Sequence, residues 1–254
     1  MGFTENSHVT ETKLKRIAAL SAADPGMVFT HVIHHINTDS LRACFHKLDG
    51  KKAKGSDGID KARYGENLGN NLQNLTERLK RMAYIPGPVR EVLIPKEGKP
   101  GATRPLGISN FEDKIVQKAM QQIIESIYEP LFHENSYGFR PGRSCHHAIK
   151  ELHKHLNTQH IETVIDVDLA NFFGSISHDK LMEIIGEKIS DPRMIRYLWR
   201  MLKAGVLSGG EMILSDEGVP QGSIVSPVLS NIFAHVVIDE WIEKTVKTQH
   251  THRC

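Results

Sequence analysis

Between residues 162 and 169 the hydrophobic pattern changes period from helical to extended, and the change puts two carboxylates on one face of an apolar strand. Thr163, Ile165, Val167 and Leu169 alternate with Val164, Asp166 and Asp168, so the two acids point the same way at i and i+2. An ionised carboxylate is costly among Val and Ile unless it is paired or bound to a metal. Asp168 is followed by Leu-Ala-Asn-Phe-Phe, which sets Phe173 five residues beyond it. In isolation an exposed Asp at the end of a strand explains Asp168 better than catalysis does. The flanking segments therefore decide.

Residues 1–27 read as a loosely ordered lead-in ending at Asp24-Pro25-Gly26, a turn signal. A helix is predicted over 28–48, and 50–60 is a loop rich in Lys and Gly. Leu68, Leu72, Leu75 and Leu79 recur at helical spacing over 68–82. Residues 89–95 alternate as a strand would, and the Gly/Pro/Lys turn at 96–103 joins them to a second strand near 106–108. Ser109-Asn110-Phe111-Glu112 has the spacing of a capping box ahead of the stripe Ile115, Ala119, Ile123 and Ile127. Ser144 opens a helix with Ala148, Leu152 and Leu156, and Asp191-Pro192 opens one that runs through Leu202. A short hairpin is predicted over 206–213 around Gly209-Gly210. Ser226-Pro227 starts a long helix to about 246, with Val228, Leu229, Ile232, Val236 and Trp241 facing inward.

Overall charge does not announce a nucleic-acid partner, because 32 Lys and Arg face 30 Asp and Glu. Locally the balance differs: 76–104 holds Arg78, Lys80, Arg81, Arg90, Lys96, Lys99 and Arg104 against Glu77, Glu91 and Glu97, a net +4. A solvated helix face is the plain explanation of that run on charge alone. Fifteen histidines include His31, His34, His35, His146 and His147, but no H-E-x-x-H or zinc-finger spacing accompanies them. Cys44, Cys145 and Cys254 are scattered, which fits a reducing, cytoplasmic setting rather than a disulfide framework. No apolar run approaches the roughly 18 residues a membrane span needs, so no membrane partner is expected.

Four blocks then occur in order: Arg90-Glu91-Val92-Leu93-Ile94-Pro95-Lys96 leading to Arg104-Pro105-Leu106-Gly107-Ile108; the Asp168 to Phe173 segment; Ser136-Tyr137-Gly138-Phe139-Arg140-Pro141-Gly142-Arg143-Ser144 ahead of it; and Gly218-Val219-Pro220-Gln221-Gly222-Ser223 through Ser226-Pro227. At these residues the chain resembles group II intron reverse transcriptases, also called intron-encoded maturases. Gly55-Ser56-Asp57-Gly58-Ile59-Asp60 is similar to an early segment of the same family. The resemblance runs from about residue 45 to 243.

The resemblance implies an α+β fold of the right-hand polymerase type, with fingers over 28–160 and an incomplete palm over 161–254. It implies Asp168 as a catalytic Mg²⁺ ligand, helped by the Leu169 carbonyl, with Asp166 in support. Lys96 and Arg104 match the pair that grips the triphosphate, where Arg offers a bidentate fork and Lys a point charge. Phe173 matches the aromatic that excludes a ribose 2′-hydroxyl, and Gln221 with Gly222 the segment packed under the incoming nucleotide. Arg140 and Arg143 are expected on template phosphates, and Arg78, Lys80 and Arg81 on RNA. The implied partners are an RNA template, a DNA primer, deoxynucleoside triphosphates and intron RNA. Gly174 departs from the acidic residue many members carry after the gate aromatic, and the Tyr-x-Asp-Asp turn expected after the Ser226 helix does not precede Cys254. The chain is thus expected to be the front part of such an enzyme, inactive alone. Two other readings remain open at this point: an RNA-binding maturase that does not polymerise, and a domesticated reverse transcriptase of an immune or diversity-generating system.

Overall fold

The computed structural model describes residues 2–99 and 101–247, so the tail at 248–254, with Cys254, and Pro100 of the 96–103 turn lie outside the described residues. Helix α5 (Phe111–Tyr128) is the centre of the core. The predicted stripe Ile115, Ala119, Ile123 and Ile127 is buried, and Val116, Met120 and Ile124 are buried beside it. A stripe this wide needs cover on several sides. It is packed by α1 (Gly2–Ala23), α2 (Thr38–Lys47), α3 (Lys61–Gly65) and α9 (Ser226–Ala234). The helix starts one residue later than the capping-box spacing implied. Asn110 precedes it without a cap bond, and its side chain accepts instead from Ser56 Oγ (3.0 Å) and the Asp57 N–H (3.2 Å).

The expected loose lead-in is helical instead. Its segment Lys13-Leu14-Lys15-Arg16-Ile17-Ala18-Ala19-Leu20 is composed of strong helix formers, and α5 gives it an apolar partner. Ile17 is buried, and the Ser21 hydroxyl donates to the Ile127 carbonyl (2.6 Å). The single helix predicted over 28–48 is broken into a 3₁₀ turn, Ile33–His35, and α2, because Asn37 caps α2 reciprocally with Ser40.

Helix α4 (Leu68–Lys80) buries Leu72, Leu75 and Leu79 as its spacing predicts. Helix α6 (Cys145–Thr158) is capped by Ser144 as expected, yet buries no residue. After α7 (His178–Gly186) comes α8 (Pro192–Leu202), whose cap Asp191 accepts from the N–H groups of Arg193 and Met194 and also of Val32 and Ile33. Four such bonds hold the Asp191 carboxyl below its ordinary range despite its burial. Helix α9 buries Val228, Leu229 and Ile232, but the chain continues in wide π-type turns, His235–Asp239 and Ile242–Lys247. Wide turns shift the phase of the side chains. Trp241, expected to face inward, is consequently 55% exposed.

One four-stranded sheet runs in the order β2-β1-β3-β4, where β1 is Val89–Pro95, β2 Thr103–Ile108, β3 Val206–Ser208 and β4 Glu211–Ile213. Both predicted hairpins form. Gly209 and Gly210 take φ of 57° and 93°, the turn conformation that glycine supplies without steric cost. The parallel pairing of Val89 with Val206 joins the two hairpins. The strand expected over 162–169 does not form: those residues are irregular and exposed throughout. Backbone N–H and C=O groups need a partner strand to become a ladder, and none of the four described strands lies beside this segment.

Candidate nucleotide-binding cleft

The β1–β2 hairpin carries the two expected triphosphate contacts. Arg104 lies opposite Ile94, and the Lys96 N–H donates to the Ala102 carbonyl (2.9 Å), so Lys96 and Arg104 are diagonal neighbours on one face. Both are exposed. The base of the hairpin is fixed. Glu91 pairs with Gly107 across the ladder and accepts from the Ser208 hydroxyl (2.5 Å), and the Gly107 N–H donates to the Gln221 carbonyl (2.5 Å). Gly222 has φ of 99°, and a Cβ there would stand 2.4 Å from the Gly107 carbonyl oxygen. Only glycine permits that approach.

On the other side of the same loop lies the turn that follows Asp168. Asn171 is left-handed (φ 50°), and Phe172–Gly174 form one 3₁₀ turn. The Val219 N–H donates to the Phe173 carbonyl (2.7 Å) and the Gly218 N–H to the Ile176 carbonyl (2.8 Å). The Phe173 ring is half-buried, edge-on to Phe139 and Phe172. A Cβ on Gly174 would meet the side-chain amide of Asn171 at 2.5 Å. Gly107, Asn171, Gly174 and the segment from Glu217 to Gln221 enclose a cleft of about 390 Å³, with Glu91 and Pro105 at its edge. Beside Gly107 and Gly222 a second hollow of about 540 Å³ is lined by Leu106, Ile108 and Ile224 together with Lys47, Lys52, Lys114 and Lys118. One of these, Lys114, donates to the Ala53 carbonyl (2.7 Å), and partial burial lowers its pKa.

The acidic half of the expected site is not assembled. Asp166, Asp168 and Leu169 are exposed on the irregular segment, and of the expected site residues only Gln221 lines the cleft, Lys96, Arg104, Phe173 and Gly222 standing outside its lining. Among the described residues no group of three or more His, Cys, Asp or Glu side chains could hold a metal ion. As arranged, the residues do not fit a divalent-cation centre.

The expected nucleic-acid contacts sit in different settings. Arg140 is buried, paired with Glu129 through Nε (3.0 Å) and Nη2 (2.9 Å), and donates through Nη1 to the carbonyls of His133 (2.7 Å) and Ser136 (2.8 Å). Its donors are spent inside the protein, so it is a clasp rather than a template contact. Arg143 also donates to the Glu134 and Ser136 carbonyls, lies over the Tyr137 ring and is only half-exposed. Arg78 bonds Glu112 (2.6 Å) and Asn74 (2.7 Å), which takes it out of the free basic run. Lys80 and Arg81 stay exposed.

Sequence reasoning missed His178 and Asp113. His178 is buried and its Nε2 lies 2.7 Å from the Gly218 carbonyl, fastening the loop that carries Gln221. Asp113 accepts from the Tyr84 hydroxyl and from the Gly87 N–H (3.0 Å), and burial pushes its carboxyl up to about 6. Neither residue stands in a local pattern that marks it.

These elements, a mixed α+β body whose hairpin, aromatic turn and Pro-Gln-Gly loop meet at one cleft, agree with comparison to known proteins. Residues 94–253 match the family described as reverse transcriptase (RNA-dependent DNA polymerase), and the chain belongs to that family. Among the proteins it resembles are group II intron proteins. The group II intron-encoded protein LtrA of Lactococcus lactis subsp. cremoris is 34% identical over 87% of this chain and 37% of its own length. Protein YkfC of Escherichia coli (strain K12) is 38% identical over 86% of this chain and 58% of its own. A protein of the cob intron of Schizosaccharomyces pombe is 34% identical over 95% of this chain and 30% of its own. The chain therefore spans between 30% and 58% of these relatives. Among solved structures, a chain of a partial Cas6-RT-Cas1–Cas2 complex shares the fold, with a TM-score of 0.51 at 18% identity over 84% of this chain and 34% of that one.

Proposed function

We propose that this chain is part of an RNA-directed DNA polymerase of the group II intron type, with the 390 Å³ cleft as its nucleotide site. The observation that carries the reading is the convergence of three segments distant in sequence, Gly107, the Phe173 turn and Gly218 to Gly222, through approaches that glycine makes possible. In this reading Lys96 and Arg104 hold the triphosphate, Phe173 blocks a 2′-hydroxyl, and Gln221 with Gly222 supports the nucleotide. The 540 Å³ hollow, lined by both apolar side chains and lysines, suits an unpaired template base with its phosphates on lysine. Residues 28–160 serve as fingers and 161–254 as the opening of the palm, working on an RNA template, a DNA primer and intron RNA.

The family uses a divalent metal. We assign Mg²⁺ as the ion, with Asp168 and the Leu169 carbonyl among its oxygen ligands. No helix among the described residues is long and apolar enough to cross a membrane, and a cytoplasmic location belongs to the same reading. The reading is tested by Asp168→Asn in a protein holding the complete catalytic domain, which should lose extension of a primed RNA template while keeping its melting temperature. Near-normal extension would remove Asp168 from the site. In the same protein Phe173→Ala should raise ribonucleotide incorporation relative to deoxynucleotide, and an unchanged ratio would place the gate elsewhere. The 254-residue chain alone should show no extension, because its described residues do not assemble a metal centre.

The exposure of Asp168 also favours a second reading, an intron RNA-binding maturase that does not polymerise. Extension by the complete wild-type protein separates the two.

A further inference from the structure

Among the described residues three that are not glycine take left-handed backbone: Met82, Phe139 and Asn171. Asparagine tolerates that region, but a bulky aromatic rarely enters it. Phe139 has φ of 54°, while its neighbour Gly138, which could take the strained position without cost, is not left-handed. The chain is anchored on both sides of the strained residue. The Gly138 carbonyl accepts from Nδ2 of Asn231 in α9 (2.8 Å), and Arg140 is buried on Glu129 and two carbonyls. Anchors of this kind keep a strained conformation in place.

Core packing does not account for the aromatic, because Phe139 is 68% exposed. What its ring meets is Phe173, edge-on at 6.1 Å between centroids with an interplanar angle of 87°. Phe172 also touches the Phe173 ring, at 5.9 Å, and is itself seated against Phe233 of α9. A chain neighbour, however, moves with the turn that carries both rings. Phe139 comes from a separate segment, so it holds the Phe173 ring against a point that the turn does not share. A ring that excludes a 2′-hydroxyl by bulk does so only in the rotamer that fills the space, and a swing of χ1 to the next staggered well opens it.

We propose that Phe139 is a positioning residue for Phe173, its edge-on ring holding the gate aromatic in one rotamer and so sharpening the choice of deoxyribose over ribose. The inference rests on the reading of Phe173 as the gate. An aromatic pair in this geometry is favoured beyond the area it buries, which accounts for an exposed phenylalanine where the backbone alone would favour glycine.

The first test uses the 254-residue chain and needs no activity. Three-bond couplings from Phe173 Cγ to its backbone N and C′ should report one χ1 well in the wild type and averaging between wells in Phe139→Gly. Glycine is the informative replacement: it accepts φ of 54° and removes only the ring, so the melting temperature should not fall. Phe139→Tyr should keep the wild-type couplings. Unchanged couplings in Phe139→Gly overturn the positioning role. The second test uses a protein holding the complete catalytic domain. There Phe139→Gly should raise ribonucleotide incorporation relative to deoxynucleotide roughly two- to tenfold, the weight of one edge-to-face pair. Phe139→Tyr should keep the wild-type ratio, and Phe139→Gly should add no further rise to Phe173→Ala. A ratio unmoved by Phe139→Gly where Phe173→Ala raises it overturns the inference and leaves the gate reading intact. An equal loss of extension with both kinds of nucleotide overturns it too, by assigning the exposed ring to the nucleic acid. A ratio unmoved by Phe173→Ala sinks the gate reading itself, and the couplings still decide whether Phe139 holds that ring.

Discussion

β1 and the 162–169 segment carry the same alternation of apolar residues, yet one is a strand and the other is not. β1 pairs with β2 along its length and with β3 at its start. The other segment is as rich in β-branched residues, but Val164, Ile165 and Val167 are 69%, 82% and 74% exposed. Alternation states which face a strand would bury. Whether the strand exists is decided by backbone partners, because unpaired N–H and C=O groups stay with water. The exposed stripe of α6, Ile149, Leu152 and Leu156, belongs with the second region: correct in pattern, capped as predicted, and without cover.

Hydrogen exchange measures the contrast most directly. Ladder amides of β1 and β2 should exchange at least about 10³-fold more slowly than amides of 162–169, equivalent to roughly 4 kcal/mol of local stability. Comparable protection in both would show that the second segment is paired in solution. A mutational form of the comparison sets Arg140, locked by Glu129 and two carbonyls, against Val164. Arg140→Ala should cost about 3 kcal/mol, since it strips a buried ion pair, and should leave the salt slope of RNA binding unchanged. Val164→Ala should cost no more than about 0.5 kcal/mol. Thermal unfolding decides, and a stable Arg140→Ala with weakened RNA affinity would return Arg140 to the template.

A pH-dependent effect concerns Asp113, which ties the approach to β1 into the core through Tyr84 and Gly87. Its carboxyl is raised from 3.8 to about 6 in the folded chain, chiefly by burial. The native state therefore holds the proton more tightly than the unfolded one. The stability this contributes is fully present below pH 3.8 and is lost as pH rises through about 6, a change on the order of 2–3 kcal/mol. Asp113→Asn should flatten the melting temperature in that window relative to the wild type. A difference between the two proteins that stays constant from pH 4 to 6 would show that Asp113 does not titrate there.

What the sequence made legible was local. Asp191 ahead of Pro192, Ser144 ahead of α6, the Gly209-Gly210 turn and the leucine stripe of α4 each carry their signal within a few residues, and each stands as read. The family blocks were legible too, because Lys96, Arg104, Phe173 and Gln221 sit in contiguous runs. The misses come from long-range pairing. Glu129 claims Arg140, Glu112 claims Arg78, and Gly218 is held by His178, 40 residues away. No periodicity reports a partner on another element. Asn110 shows the same limit at short range: its position ahead of α5 was legible, but its side chain serves the 55–60 loop rather than the helix.

The close seat of Gly222 on the Gly107 carbonyl has a mechanical meaning. It pins the hairpin at its root, together with the bond from Gly107 to Gln221. From Glu91, opposite Gly107, to Lys96 is five residues of extended chain, about 17 Å at strand rise. The hairpin is thus a cantilever with its fulcrum at glycine and its cations far out on the arm. The same root is bonded to Gln221, and the loop that carries Gln221 is bonded in turn to the Phe173 turn, so the foot of the arm and the aromatic turn share one backbone anchor.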